Sequence, residues 1–388
     1  MIKRRLTENI LKLYKHFPVI SILGPRQSGK TTLAKELRKQ IARKSIMLDM
    51  ENPDDYLKMD NAGIYLRSFI EYTVIIDEIQ KRPELFQLLR VLVDENRKAG
   101  RFIILGSANP GIIKGASESL AGRVAFIELN PFDYVEINDK YNLKHHWFYG
   151  GFPRSLLNRN RPFSLKWLDD FITTYIERDL PEFGLVTSSQ NLRRFWTMMA
   201  NSQGGIFNAS LFAKSLGISH PTVTRYLDFL EGSFMARKLY PYFTNIKKRL
   251  VKSPKVYIRD PGILHRLLRI NNYRELIGNL IAGPSWEGYV IEQVNNLKND
   301  NIEIYFYRTK DGTECDMIFT KSLMPIACAE IKFTSTPNIS KSLKITMDDL
   351  KIEKGFIITP FTDDYPLSKK VKVCNFTVFI SKYLSEIK

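Results

Sequence analysis

Cysteine is scarce in this chain. The 388 residues include only three, Cys315, Cys328 and Cys374, and no two of them are spaced as C-x-x-C. This usage disfavours both a small scaffold held by disulfides and a zinc site built on cysteine pairs. We therefore expect a protein of a reducing compartment, the cytoplasm.

Long apolar runs are also missing. No stretch approaches the roughly 18 consecutive apolar residues of a membrane-spanning helix. The N-terminal residues 1–8 are basic, but no apolar segment of the kind found in a secretory signal follows them. The sequence thus predicts neither a membrane partner nor export.

Acidic residues are outnumbered by basic ones. The chain has 41 Asp and Glu against 58 Lys and Arg, which gives a formal net charge of +17 at pH 7. Its apolar share of 44% and charged share of 26% are ordinary for a folded protein. A strongly basic balance favours anionic partners, with DNA as the first expectation.

The first 150 residues alternate short apolar runs with helical patterns. The apolar runs predict strands at 19–23, 45–50, 73–77, 101–106 and 125–129. Helical spacing lies between them, most clearly at 31–43 and 82–99. This alternation is typical of a parallel sheet with helices on both faces, so the predicted fold class is α/β.

Later changes of pattern predict further domains. After a first domain at 1–150, we expect a helical lid at 151–205, a winged helix-turn-helix at 206–255 and an α/β domain at 275–388. A stretch rich in Pro, Lys and Arg at 240–261 predicts a hinge. In the last domain, the pattern predicts helices at 286–297 and 340–350 and strands at 302–308, 314–319, 326–333 and 355–360.

One segment of the first domain matches G-x-x-x-x-G-K-[ST] in full. It consists of Gly24, Pro25, Arg26, Gln27, Ser28, Gly29, Lys30, Thr31 and Thr32. Glycines let such a loop turn back, so that backbone N–H groups and a helix N-terminus converge on phosphate oxygens. Lys30 would reach the β- and γ-phosphates and Thr31 would bind Mg²⁺. A chance glycine turn before a basic helix is the alternative, and the flanking strand and helix disfavour it.

A pair of acids follows the predicted strand at 73–77. Asp77 and Glu78 stand where ligands bind in open α/β sheets, at the carboxyl end of a buried strand. Asp77 would hold Mg²⁺, commonly through water, and Glu78 would act as general base on the attacking water. The alternative is an acidic helix start. The intervening strand at 45–50 predicts that the two motif strands need not be neighbours.

Two further residues are candidates for the same reaction. The strand at 101–106 ends in Ser107-Ala108-Asn109, and a polar side chain there would sense the γ-phosphate or orient water. We favour Asn109 over Ser107. Arg123 would stabilise the developing charge as a finger, in its own subunit or from a neighbouring one. A surface arginine before a strand is an equally good interpretation.

These motifs together resemble a prokaryotic family of AAA+-type ATPases. The resemblance rests on 24–32, Asp77-Glu78-Ile79-Gln80, Gly106-Ser107-Ala108-Asn109, Leu120-Ala121-Gly122-Arg123, Gly150-Gly151-Phe152-Pro153 and Tyr175-Ile176-Glu177-Arg178-Asp179-Leu180. Members of the family join this ATPase core (ASCE-like, with an additional strand and a catalytic glutamate) to a C-terminal DUF4143-type region. The resemblance implies ATP and Mg²⁺ as cofactors.

The segment 208–229 has the pattern of a helix-turn-helix. Gly217 supplies the turn and Ser219 caps the second helix. The exposed face of that helix would contact DNA through His220, Thr222, Thr224 and Arg225. The following stretch, 229–242, resembles a wing. Seven basic residues that would neutralise phosphates lie between 237 and 255: Arg237, Lys238, Lys247, Lys248, Arg249, Lys252 and Lys255. A lid or a protein-docking module is the alternative.

Acids interrupt the apolar pattern of the last domain. Glu287 begins a helix, Asp316 lies in a strand, and Glu330 and Lys332 share one face of another strand. Desolvated carboxylates are offset by a divalent cation, so the set predicts Mg²⁺ or Mn²⁺. The order of elements resembles the PD-(D/E)xK nuclease fold, that of restriction endonucleases, with Cys315 in place of the motif's proline. A Glu330–Lys332 ion pair in a binding module without activity is the alternative.

These observations support two functions of different classes. In the first, ATP binding and hydrolysis are coupled to DNA through the winged helix and the nuclease-like domain. In the second, the protein is a nucleotide-gated switch that reports to a protein partner, and the nuclease-like domain is an inactive docking surface. A DNA-binding regulator is a third, weaker interpretation. The sequence leaves the oligomeric state open.

Overall fold

The computed structural model describes residues 2–107, 119–185, 187–243 and 250–387. The predicted site residues Asn109, Lys247, Lys248 and Arg249 lie outside these ranges. In the described part of the chain, no helix is long and apolar enough to cross a membrane.

The N-terminal sheet is parallel and has five strands. They are β1 (Val19–Gly24), β2 (Ser45–Asp49), β3 (Thr73–Asp77), β4 (Phe102–Ser107) and β5 (Val124–Glu128). Their order is β2-β3-β4-β1-β5, so β4 separates β1 from β3 and the motif strands are not neighbours, as predicted. Because all pairs are parallel, the carboxyl ends of β1, β3 and β4 meet at one edge of the sheet.

Helices cover this sheet on both faces. They are α1 (Leu6–Tyr14), α2 (Lys30–Arg38), α3 (Pro53–Lys58), α4 (Ala62–Arg67) and α5 (Leu85–Glu95). Leu33, Ala34 and Leu37 of α2 pack on one face of the sheet, whereas Leu85, Leu89 and Leu92 of α5 pack on the other. Two separate apolar clusters thus hold the sheet in place.

The middle of the chain is helical. Its α-helices are α6 (Tyr134–Ile137), α7 (Leu143–Tyr149), α8 (Pro153–Leu156), α9 (Arg161–Thr174), α10 (Leu180–Glu182), α11 (Ser189–Asn201), α12 (Ala209–Leu216) and α13 (His220–Gly232), with a π-helical turn at Tyr175–Asp179. Gly217 ends α12 with a φ of +67°, which favours glycine, and the Ser219 side chain accepts a hydrogen bond from the Thr222 N–H at the start of α13. The predicted two-helix segment is confirmed.

The predicted hinge at 240–261 is wrong. It contains β7 (Lys255–Ile258), which pairs antiparallel with β6 (Ala236–Leu239). The second strand of the predicted wing therefore comes later in the chain than the 229–242 stretch. The chain between β6 and β7 is held to the C-terminal region on both sides of residues 244–249. The N–H groups of Tyr242 and Val251 donate to the carbonyls of Phe306 and Arg308 at 2.7 and 3.0 Å.

The C-terminal region is a mixed sheet with helices. Its helices are α14 (Pro261–Leu267), α15 (Tyr273–Ile277), α16 (Ala282–Leu297), α17 (Lys341–Leu350) and α18 (Phe376–Val378), and its strands are β8 (Ile302–Arg308), β9 (Glu314–Lys321), β10 (Met324–Ile331), β11 (Gly355–Thr359), β12 (Tyr365–Pro366) and β13 (Val371–Asn375). The strand order is β12-β13-β11-β10-β9-β8. Trp147 of α7 and Trp286 of α16 share one core here, so the middle helices pack against the C-terminal region. All three cysteines are buried and free.

Candidate functional site

The glycine-rich loop joins β1 to α2. Gly29 precedes α2 with a φ of +99°, a left-handed conformation that favours glycine and lets the loop bend into the helix. A cavity of about 730 Å³ lies over the loop and the start of α2. Of the predicted loop residues, its lining includes Gln27, Ser28, Gly29, Lys30, Thr31 and Thr32. The positive end of α2 therefore faces a space large enough for a nucleotide.

Lys30 is a buried residue of the lining of this cavity. Its Nζ donates to the carbonyls of Gly24 and Pro25, at 3.0 and 2.9 Å. Burial lowers the pKa of Lys30 to about 8. The ammonium is thus held inside the loop by neutral acceptors, and an arriving phosphate would offer it a stronger, charged one.

Thr31 and Asp77 meet as the sequence predicts. Thr31 Oγ1 donates to Asp77 Oδ2 at 2.6 Å, across the edge where α2 begins and β3 ends. Burial raises the pKa of Asp77, the effect expected of a carboxylate removed from solvent. A hydroxyl and a carboxylate oxygen are ligands that Mg²⁺ prefers, so these residues fit the metal of a nucleotide complex.

Glu78 occupies a strained backbone position beside them. Its φ is +52°, in the left-handed region that residues other than glycine rarely adopt. The amide Nε2 of Gln80 donates to the Glu78 carboxylate, and burial raises the pKa of Glu78. Gln80 thus orients the predicted base. Sequence reasoning assigned Gln80 no role, although it belongs to the family motif that carries Asp77 and Glu78.

Two other candidates for this reaction, Ser107 and Arg123, lie at opposite edges of the sheet. Ser107 ends β4 directly opposite Gly24, and its buried hydroxyl has no hydrogen-bond partner within the described residues. Arg123 lies at the opposite edge of the sheet, where its carbonyl accepts from Val19 N–H at the start of β1. Five residues of strand, roughly 17 Å, separate that point from the loop.

Arg123 is therefore not a finger in its own subunit. Its guanidinium binds both oxygens of Asp94 on α5, at 2.7 and 2.9 Å. The structure supports the alternative interpretation, a surface arginine before β5. A finger donated to a neighbouring subunit stays a prediction.

Arg26 makes contacts that the loop motif does not predict. Its guanidinium forms ion pairs with Asp179 in the π-helical turn and with Glu51, whose Oε1 lies 2.6 Å from Nη2. Asp179 belongs to the last of the family stretches, Tyr175–Leu180. The only sequence signal for this contact was the presence of both stretches in one family.

In the C-terminal region, a lysine lies among two of the predicted acids and one that was not predicted, Glu314. Lys255 Nζ is 2.9 Å from Glu287 Oε1, 2.5 Å from Glu314 Oε1 and 3.4 Å from Asp316 Oδ1. Tyr257 also donates to Glu287, at 2.6 Å. Burial raises the pKa of Glu287 to about 7, with Asp316 contributing. Although burial opposes it, Tyr257 and the carboxylates raise the pKa of Lys255 well above its usual value. An ammonium of the chain itself thus balances these acids.

Glu330 and Lys332 lie beside this cluster. Lys332 Nζ donates to the Asn338 carbonyl at 2.7 Å and lies 3.5 Å from Glu330, so the two side chains share a face as predicted. Within the described residues, no three acids, histidines or cysteines are placed to hold one metal ion. The structure does not bring Glu287, Asp316 and Glu330 together as a ligand set, and nuclease activity stays a prediction.

Replacing Lys255 with Met is expected to destabilise the protein strongly. Lys255 is only 2% exposed, so its removal leaves three partly buried carboxylates without their cation, a loss of about 3 kcal/mol. Millimolar Mn²⁺ or Ca²⁺ without nucleotide should then raise the melting temperature of the variant and leave the wild type unchanged. Lys252→Met, at an exposed position of the same segment, is the matched control. An equal rise in the wild type would instead favour the predicted metal site.

The predicted DNA-contacting residues lie on and beside the start of α13. His220 and Arg225 are exposed, whereas Thr222 and Thr224 are half-buried. Thr222 Oγ1 hydrogen-bonds with Ser219 Oγ at 2.8 Å, and Arg225 Nη2 donates to the Gly184 carbonyl at 3.1 Å. The helix therefore exposes a histidine and an arginine to solvent, on different sides of its axis.

Most of the predicted basic cluster that the structure describes faces inward. Arg237 pairs with Glu292, at 2.5 and 3.0 Å, and Lys238 pairs with Asp228 and Glu231 on α13, at 2.6 and 2.7 Å. With Lys255 bound as above, these cations balance carboxylates of the chain. They are not available for several phosphates at once, and Lys252 is the exposed exception.

Three known families match successive parts of the chain. An AAA domain matches residues 16–138, a domain of unknown function, DUF8612, matches 140–274, and another, DUF4143, matches 282–379. The first covers the glycine-rich loop and the Asp77-Glu78 pair. The second covers the middle helices with β6 and β7, and the third covers most of the C-terminal region.

Two mycobacterial relatives match nearly the whole chain, and a third relative matches two thirds of it. It is 41% identical over 354 residues to the uncharacterized protein Rv2008c of Mycobacterium tuberculosis, covering 91% of this chain and 79% of that one, and a Mycobacterium bovis protein matches to the same extent. An uncharacterized protein of Haemophilus influenzae is 23% identical over 294 residues, covering 67% and 72%. Among solved structures, a Walker-type ATPase of Pyrococcus abyssi is 16% identical with a TM-score of 0.46, covering 69% of this chain and 96% of that one.

Proposed function

This chain belongs to the same family as the mycobacterial relatives, a family that joins an AAA-type P-loop ATPase domain to DUF8612 and a C-terminal DUF4143 region, and on that premise we propose that it is an Mg²⁺-dependent ATPase working as a molecular switch. Nucleotide binding and hydrolysis would change the position of its middle helices. The C-terminal region would be a docking part of the switch, not a nuclease.

The observation that carries the proposal is the 2.6 Å hydrogen bond between Thr31 and Asp77 beside Lys30 and Glu78. It brings the loop and the acidic pair into one site. Thr31 and Asp77 would hold Mg²⁺, which supplies charge neutralisation on the phosphates. Lys30 would bind the phosphates, and Glu78, oriented by Gln80, would take the proton of the attacking water.

The test is the release of inorganic phosphate from ATP by the full chain. Two variants separate the steps, because Lys30→Ala removes a binding group and Glu78→Gln removes the base. Release by the wild type alone, with nucleotide binding kept in the second variant, is the pattern expected of this site.

The docking role of the C-terminal region rests on Lys255. Its ammonium balances Glu287, Glu314 and Asp316, and it belongs to the strand β7 that follows the two-helix segment. Because this ammonium already neutralises the acids, we assign them a structural role and not a hydrolytic one. It ties the middle of the chain to the C-terminal sheet instead, as a switch requires.

DNA engagement is the second candidate function, favoured by the exposed His220 and Arg225 on α13, the second helix of the predicted winged helix-turn-helix. If α13 binds DNA, Arg225→Ala should weaken binding to a duplex and reduce the slope of log K against log [salt] by about 0.9, since one phosphate contact is lost. Fluorescence anisotropy at several salt concentrations measures this slope. Arg97→Ala, which removes the same charge from an exposed position of the ATPase domain, is the control. Identical curves for both variants would remove α13 from the DNA hypothesis.

A further inference from the structure

The phosphate-binding loop is tied to the middle helices through Arg26. Its guanidinium is 14% exposed and pairs with Asp179, which is 3% exposed. Glu51 Oε1 lies 2.6 Å from the same guanidinium and Glu182 Oε2 lies 3.7 Å from it. An arginine of the loop itself is thus held by carboxylates from outside the loop.

A second ion pair joins the same two parts of the molecule. Lys81 Nζ, three residues after the predicted base, lies 3.3 Å from Glu182 Oε2. Residues 179–182 therefore contact both elements that would bind and hydrolyse the nucleotide. The contact is electrostatic, so its strength depends on the charges around it.

Asp179 ends an unusual piece of helix. Residues 175–179 form a π-helical turn between α9 and α10, and such turns occur often at functional sites. The Tyr175 hydroxyl, in the same turn, hydrogen-bonds with Ser233 at the end of α13. Arg225 of α13 donates to the Gly184 carbonyl just after α10. A displacement of the turn would therefore reach α13 directly.

A bound triphosphate would change the balance at Arg26. A guanidinium binds phosphate oxygens in a bidentate manner, as it binds a carboxylate, so the terminal phosphate competes with Asp179 for the same donors. A diphosphate lacks that group. The carboxylates of Glu51, Asp179 and Glu182 would be left with less positive charge once the guanidinium turned toward the phosphates.

We propose that Arg26 is a nucleotide sensor that exchanges Asp179 for the terminal phosphate of bound ATP and so releases the turn at 175–179. This inference rests on the proposed ATP binding. Asp179 is a positioning residue, since it holds Arg26 when the terminal phosphate is absent. The exchange links the state of the nucleotide to α13.

The test compares the affinity of the full chain for ATPγS and for ADP, both with Mg²⁺. Wild type should bind ATPγS more tightly, and Arg26→Gln should reduce that preference about tenfold, within the usual range of coupling between sites. Asp179→Asn, which keeps the shape of the side chain, should tighten ATPγS binding about fivefold because the competitor for Arg26 is weakened. Glu177→Gln, at an exposed position of the same turn, is the matched control and should change neither affinity.

Hydrogen exchange supplies a second readout that a merely structural role would not move. In the wild type, ATPγS but not ADP should speed amide exchange in residues 175–185, and Arg26→Gln should abolish the difference. An unchanged preference for ATPγS in Arg26→Gln, or equal exchange with both nucleotides in the wild type, would overturn the inference. Failure of the wild type to bind either nucleotide would instead contradict the proposed function.

Discussion

Glu78→Gln is expected to keep ATP binding and to lower the rate of hydrolysis by a factor of about 100 or more. The carboxylate is the group that would take the proton of the attacking water, and general-base catalysis contributes at this scale. Glutamine has nearly the same shape, so the cavity and the hydrogen bond with Gln80 can persist. The raised pKa of Glu78, caused by burial, matches a base that must accept a proton in a dry site.

Two measurements together check this expectation. Isothermal titration with Mg²⁺-ATP gives the affinity, and phosphate release under saturating ATP gives the rate. Glu84→Gln, an exposed carboxylate later in the same connection, is the matched control and should behave like the wild type. Wild-type turnover in Glu78→Gln would show that another group is the base.

Lys30→Ala is expected to reduce ATP affinity about a hundredfold or more. The Lys30 ammonium lies inside the loop, 3.0 and 2.9 Å from two loop carbonyls. These acceptors are neutral, whereas a bound phosphate would be a charged acceptor. Hydrogen bonds to charged groups in a water-poor site are the strong ones, and alanine removes both charge and donor. Isothermal titration with Mg²⁺-ATP measures the affinity of this variant. An affinity equal to that of the wild type would show that the loop is not the phosphate-binding site.

The pH dependence of binding separates a lost charge from a damaged loop. Burial lowers the pKa of free Lys30 to about 8, so the ammonium of the free protein loses its proton as the pH rises through that value. Phosphate binds the protonated form and raises its pKa, so wild-type ATP affinity should fall above about pH 8, approaching tenfold per pH unit. Lys30→Arg keeps its proton and should lack this fall.

The nucleotide site could be predicted because its parts are local in sequence. The strand before the loop and the strand before Asp77 are short apolar runs, and both were found to within one residue. Parallel pairing then forces their carboxyl ends together, which is enough to place Thr31 beside Asp77. The two-helix segment could be predicted for the same reason. Gly217 allows the positive φ at the end of α12, and the Ser219 side chain caps the start of α13.

What could not be predicted depends on contacts between distant segments. Lys255 reaches Glu287 and Asp316 because the folded chain brings its side chain to α16 and β9, and no local pattern encodes those neighbours. Arg123 has the sequence of a finger, but its position at the start of β5 puts it at the wrong edge of the sheet. Arg26 lies at a position of the loop motif where any residue is allowed. The motif therefore does not predict its ion pair with Asp179, which only the folded structure shows.

The most direct test of this account is phosphate release from ATP by the purified full chain, with Mg²⁺ and with EDTA in its place. The account predicts many phosphates released per protein molecule with Mg²⁺, none above background with EDTA, and a rate lower by a factor of about 100 or more with Mg²⁺ in Glu78→Gln. Wild-type protein that binds Mg²⁺-ATP but releases no phosphate would contradict the claim that this site is an ATPase.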